Sequence, residues 1–182
     1  MATATSWGTT THDEAATYRS DELMPAAPGR WLRAVDVDAP APVTFRWVCQ
    51  LRAAPYSYDW LDNGGRRSPR RPLPWCWDLT VGDDVMTIFT LTAFEPGHEL
   101  TVTMKPDRAT TVFGRIALTY RVTGTSEGSR LVAAMRVDDP AGLLGAWRRS
   151  VLAWGDLVMM RKQLRTLAAL AAADATGVLS GR

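Results

Sequence analysis

Two histidines, His12 and His98, are all this chain offers for proton transfer near neutral pH without a shifted pKa. His12 falls in a Thr- and Ala-rich N-terminal stretch and His98 in a Glu-Pro-Gly-His turn, so neither is placed to serve a buried centre. Acid–base chemistry then falls to a carboxylate or a tyrosine tuned by burial, and Asp59, Asp78 and Tyr120 are the available groups. Asp78 sits between Trp77 and Leu79 and is expected to face water, which leaves Asp59 and Tyr120 as catalytic candidates without a motif to support either. Cys49 and Cys76 have neither metal-ligand nor CxxC spacing. A pair of buried thiols in a reducing cytosol is expected ahead of a disulfide. The sequence contains no HExxH, GxSxG, phosphate-binding loop or GxGxxG in a strand–helix setting, and no cluster of His, Cys and Asp. No metal and no organic cofactor is implied.

The most unusual stretch is PYSYDWLDNGGRRSPRRP, residues 55–72. It sets Tyr56, Tyr58, Asp59 and Trp60 against Arg66, Arg67, Arg70 and Arg71 across an Asn-Gly-Gly turn. The arginines have three readings: a solvated loop, a site for an acidic head group or phosphate, and a nucleic-acid patch. The first is preferred. The third is not supported, because no basic helix or aromatic stacking platform accompanies them and the formal net charge is only +2.

These residues must be positioned by a single domain, since 182 residues suffice for one core. Residues 1–28 show no sustained period and close on Pro-Ala-Ala-Pro-Gly, so they are expected to be a loosely ordered extension. The next segment, 29–174, carries the elements, and 175–182 are a tail. A strand at 31–37 is followed by Asp-Ala-Pro-Ala-Pro and a helix, PVTFRWVCQL, with Val43, Trp47, Val48 and Leu51 on one face. From Trp75 the period changes to two. Strands are predicted over 75–81, 85–94, 99–105, 113–122 and 129–137, joined by links short enough for an antiparallel meander. Ile116, Leu118, Tyr120 and Val122 oppose Arg115, Thr119 and Arg121, while Leu131, Ala133, Met135 and Val137 oppose Arg130, Arg136 and Asp138. One sheet face is therefore expected to be wet and the other covered. The cover is a long helix from Gly142 to about Asp174, with Trp147, Val151, Trp154 and Val158 as its inward stripe. The N-terminus has no apolar signal-like core, and the longest apolar run, 167–173, is far short of the ~20 residues that span a bilayer. A cytoplasmic, bacterial protein without a membrane span is expected.

The order strand, short helix, irregular loop, meander and terminal helix resembles the helix-grip fold of the START/Bet v 1-like (SRPBCC) superfamily. The residues that carry the resemblance are VDVDAPAPVTFRWVCQL, LTVGD, FEPGHEL and GLLGAWRRSVLAWGDLVMMRKQL, within residues 29–174. It is closest to bacterial polyketide cyclase/dehydrase-like and lipid-transport-like members. The resemblance implies an α+β fold in which a curved antiparallel sheet wraps a long C-terminal helix, with one or two short helices after the first strand. It also implies that the segment after the first helix lies by a cavity mouth, with Tyr56, Tyr58 and Trp60 as gate residues. A loop merely anchored by buried aromatics is the competing reading.

A curved sheet around one helix does not close-pack everywhere, and the gap becomes a cavity where small molecules bind. Prospective lining residues are Trp60, Trp75 or Trp77, Phe89, Tyr120, Trp147 and Trp154, with Met86 and Met135 as adaptable fillers. Each of them could equally be ordinary core. Arg161 lies close to Trp147 on the helical wheel and is expected on the covered face, where Asp59 is its named partner in a latch that an acidic ligand opens. Snorkelling of Arg161 to water is the competing reading. The expected function is binding of a small hydrophobic ligand (lipid-like, polyketide-like or polycyclic), with or without an acidic group, between sheet and helix. A polyketide cyclase, aromatase or dehydratase-like enzyme is the alternative, and an interaction module using the Arg66–Arg71 loop is the third.

Overall fold

The computed structural model describes residues 4–58, 65, 67–106, 110, 114–138 and 145–177, with side chains of the last helix described from residue 153 onward. Seven strands form one sheet: β1 (Ser6–Trp7), β2 (Gly29–Val37), β3 (Asp84–Val85), β4 (Phe89–Glu95), β5 (Glu99–Met104), β6 (Ile116–Thr125) and β7 (Gly128–Val137). Their order is β1-β2-β7-β6-β5-β4-β3. β1 runs parallel to β2, and every other pair is antiparallel. The helices are α1 (Thr11–Ala15), α2 (Arg19–Leu23), α3 (Ala41–Cys49) and α4 (Gly145–Ala175), with 3-10 turns at Gln50–Arg52 and Pro74–Trp77.

The alternation read from β6 and β7 fixes the inner face. Leu118, Tyr120, Val122, Leu131, Ala133, Met135 and Val137 are buried in the main core with the inward side of α4. An extra residue in β4 preserves this face. The register against β5 shifts between Leu91 and Ala93, so Phe94, opposite Leu100, joins Leu91, opposite Val102, on the apolar side. Pro40 stands at the N-cap of α3, where its missing N–H costs nothing, and the helix buries Trp47, Val48 and the following Leu51 as expected. Trp47 Nε1 donates to Asp174 Oδ2 at 3.2 Å and ties α3 to the C-terminal end of α4.

Four expectations need correction. Residues 75–81 are not a strand: Pro72 and Pro74 restrict the backbone and supply no N–H to a ladder, and a 3-10 turn forms at Pro74–Trp77. The predicted strand 85–94 is two, broken where Met86 and Thr87 take positive φ (49° and 67°) and Met86 N donates to Leu51 O at 3.0 Å.

The inward stripe assigned to α4 is also wrong at Trp154 and Val158, while the side chains of Trp147 and Val151 lie outside the described residues. Trp154 and Val158 are 57% and 53% exposed, and the buried face is Ala153, Leu157, Met160, Leu164, Leu167 and Ala171. The leucines of the helix's C-terminal half set its rotation, and the heavier tryptophan weighted the sequence reading by one residue, or about 100°.

The fourth correction concerns the N-terminal segment, which is not loosely ordered: Ser6–Trp7 add a strand at the sheet edge, and the chain after them crosses the outer face. Tyr18 packs there on Leu32, Ala34, Val132 and Ala134. Ser20 N donates to Thr119 Oγ1 (2.9 Å) and Ser20 Oγ to Ala134 O (3.0 Å). Arg121 and Arg136 donate to the carbonyls of Thr17 (2.9 Å) and Met24 (3.2 Å), and Arg130 pairs with Asp13 and Asp36. Arginines alternating along a strand read as a face toward water. Here their donors satisfy a polar chain segment instead, so this part of the expected wet face is covered.

Candidate functional site

The inner face carries one row in which polar and apolar residues are mixed. Across β5, β6, β7 and β2 the register places Leu100, Tyr120, Ala133 and Arg33 side by side. Ala133 is the smallest of the four and separates the arginine from the tyrosine. From above, α4 contributes Asp156 and Gln163, seven residues apart and so on nearly one face of the helix, with Met160 between them.

Arg33 is 2% exposed over its side chain and pairs with Asp156, which is 18% exposed, Nη2 to Oδ2 at 3.2 Å. Nη1 donates to Leu32 O at 3.0 Å and Nη2 also to Ala4 O at 2.7 Å. Nε is buried and finds no hydrogen-bond partner among the described residues. Burial pushes the Asp156 carboxyl up to about 6, against the pull of the Arg33 charge and its hydrogen bond. Burial likewise lowers the Arg33 pKa, with Asp156 opposing. The Tyr120 hydroxyl donates to Gln163 Oε1 at 2.6 Å, and Gln163 Nε2 donates to Pro55 O at 2.7 Å. Gln163 therefore clips α4 both to the sheet and to the segment after α3. Burial drives the Tyr120 pKa far upward, and the Asp156 charge adds to it, so the phenol is a hydrogen-bond donor and not a base. Cys49 and Cys76 are free and buried, and burial pushes them up to about 12 and about 11, so neither is a nucleophile near neutral pH.

Of the residues singled out from sequence, Phe89, Tyr120 and Met135 lie on the inner face, and Trp77 is half-buried against the same core. Trp77 Nε1 is buried and has no partner among the described residues, while Arg46 lies 5.2 Å over its ring. Tyr56 is buried, sits at φ 56° and meets Trp47 edge to face at 6.3 Å; Tyr58 is half-buried. Asp59, Trp60 and Arg66 lie outside the described residues, as does the side chain of Trp147. Trp154 points to solvent. Arg161 is also exposed, not on the covered face: it lies 5.2 Å over the Trp7 ring, which Arg165 also approaches at 5.3 Å. Arg67, Arg70 and Arg71 are exposed, and Asp78 faces water as read. Among the described residues no group of three or more His, Cys, Asp or Glu could hold a metal ion. No helix among them is long and apolar enough to cross a membrane.

Arg33, Asp156 and Gln163 were missed. Arg33 shares the odd-numbered parity of Trp31, Val35 and Val37 in β2, which was the available signal. Asp156 and Gln163 followed the misassigned rotation of α4.

No protein-family model matches the sequence, and no curated protein matches it. Solved structures match its fold. A protein from Rhodobacter sphaeroides superposes with a TM-score of 0.52 at 15% identity, over 79% of this chain and 93% of its own. One from Chromobacterium violaceum gives 0.51 at 16% identity, over 80% and 98%. The chain has the helix-grip fold. This is the architecture that the order of elements suggested. The Streptomyces aromatase/cyclase Zhui is a looser match, with a TM-score of 0.48 at 14% identity over 79% of this chain and 93% of its own. At such identities the likeness concerns the helix-grip architecture alone.

Proposed function

We propose that the protein binds a small hydrophobic molecule between the inner face of the sheet and α4. The observation that carries this reading is the polar set held inside that apolar layer: Arg33 with Asp156, and Tyr120 with Gln163. A core selected for stability gains little from a buried ion pair, because desolvation offsets the attraction and apolar replacements of similar volume often do better. A few convergent polar groups on an apolar wall are instead what fixes the orientation of a small ligand. Met86, Met135 and Met160 border this region and can adapt to ligand shape. The segment after α3 stands at the edge of the site through the Gln163–Pro55 bond, which supports Tyr56 and Tyr58 as residues near its mouth. Two free buried thiols support a reducing, cytoplasmic setting.

Titration with Nile red, a neutral apolar dye, tests the reading. A saturable rise in emission, reversed by dodecanol, is expected from the native protein. Dye binding that never saturates, or that only denaturant induces, overturns it.

A second reading is catalysis of ring closure on a flexible poly-carbonyl chain. It is favoured by one feature, an ionisable carboxyl near 6 (Asp156) on the same inner layer as a hydroxyl donor (Tyr120).

A further inference from the structure

We propose that the Arg33 guanidinium is the receptor for the carboxylate of an acidic, otherwise apolar ligand. This rests on the interior-binding reading above and adds the chemistry of the ligand's head. A guanidinium offers five N–H donors. Three bonds are accounted for, to Leu32 O, Ala4 O and Asp156 Oδ2. The buried Nε is left without a partner among the described residues. Nε and Nη2 form the edge on which a carboxylate docks through two parallel bonds. Asp156 engages that edge through one oxygen on Nη2 at 3.2 Å, longer than the roughly 2.7–2.9 Å of a well-made charged pair. It is an incomplete counter-ion.

The surroundings fit an added head group. Ala133 is the neighbour of Arg33 in the row, and Ala153 precedes Asp156 by nearly one turn of α4, so small side chains flank the pair on sheet and helix. Beyond Ala133 the Tyr120 hydroxyl stands on the same row. Anchoring the N-terminal strand through Ala4 O accounts for one Nη2 bond and leaves Nε without a partner among the described residues. A dianion would meet the Asp156 charge as well as Arg33, whereas a single carboxylate can take Nε and displace Asp156 from Nη2.

The test compares dodecanoate with dodecanamide, which share an apolar body and differ in the head, by calorimetric titration below their aggregation limits. The native protein is expected to bind the acid roughly 10- to 100-fold more tightly, the range set by hydrogen bonds to a charged group. In Arg33→Met the acid-to-amide ratio falls to about one. In Asp156→Asn, which removes the resident competitor, the ratio rises. Equal binding of acid and amide by the native protein overturns the carboxylate receptor and leaves interior binding standing, and binding of neither overturns both. An acid preference that survives Arg33→Met also overturns it and points to the exposed Arg67, Arg70 and Arg71. If Arg33→Met does not fold, the Asp156→Asn arm decides, and an unchanged ratio there overturns the proposal.

Discussion

Asp156 is the residue on which the energetics of the site turn. Its carboxyl is raised from 3.8 to about 6, so the folded protein holds the proton more tightly than the unfolded chain. Stability associated with that proton is fully present below pH 3.8 and is lost as pH rises through about 6. Asp13 has the opposite sign: its carboxyl is held below the ordinary range by Arg130 and Thr10 against the cost of burial, and its contribution fades as pH falls. The difference between native protein and Asp156→Asn isolates the first effect. Urea denaturation from pH 4 to pH 7 should show the native protein losing stability relative to the variant, and parallel profiles would contradict the assignment. Tyr120 gives a second expectation. Tyr120→Phe strands Gln163 Oε1 in the interior and should cost about 1–3 kcal/mol, read as a lower urea midpoint at unchanged slope.

Among the elements, the N-terminal segment separates the observed fold from the sequence expectation most sharply. If residues 4–28 were a loose extension, Tyr18→Ala would change stability by no more than about 0.5 kcal/mol. Because Tyr18 is buried on Leu32 and Val132 and its hydroxyl donates to Asp13 O at 3.0 Å, the substitution should cost about 3–5 kcal/mol in thermal or urea denaturation. The arginines of the 65–71 loop give the converse case. Arg67, Arg70 and Arg71 are exposed, and changing all three to Ser should leave stability within about 0.5 kcal/mol for each. What was legible in the sequence follows a pattern. The faces of β6 and β7 were read correctly, though β6 starts and ends three residues later than expected, since one side of each is apolar and the period of two admits no intermediate rotation. The rotation of α4 was not legible, because Trp154 and Ala153 lie about 100° apart and hydrophobicity alone favours the tryptophan face. Arg33 was passed over because a single charged residue in a strand reads as outward, and it is made tolerable inside by partners from α4, Ala4 and Leu32. Residues 75–81 alternate as a strand does, yet prolines before them rule on the backbone first.

For the molecule as a whole, the sheet is held from both sides. The N-terminal segment covers the outer face near β2, β7 and β6, and α4 spans the inner face from Ala153 to its clasp with Trp47 at Asp174. Trp7, between Arg161 and Arg165, joins the two covers along the β1 edge. Such bracing suits a fold that keeps an ion pair and a tyrosine–glutamine bond in its interior, where each costs stability unless every partner stays in place. The central claim is that this interior, and not an outer surface, receives an apolar molecule. Methyl NMR of protein labelled at its seven methionines tests that most directly, using dodecanol as the added molecule. The expected result is saturable shifts at Met135 and Met160, both buried on the inner layer, with a common dissociation constant. Unchanged Met135 and Met160 signals, with effects confined to the exposed α4 face around Trp154 and Val158, would contradict the account.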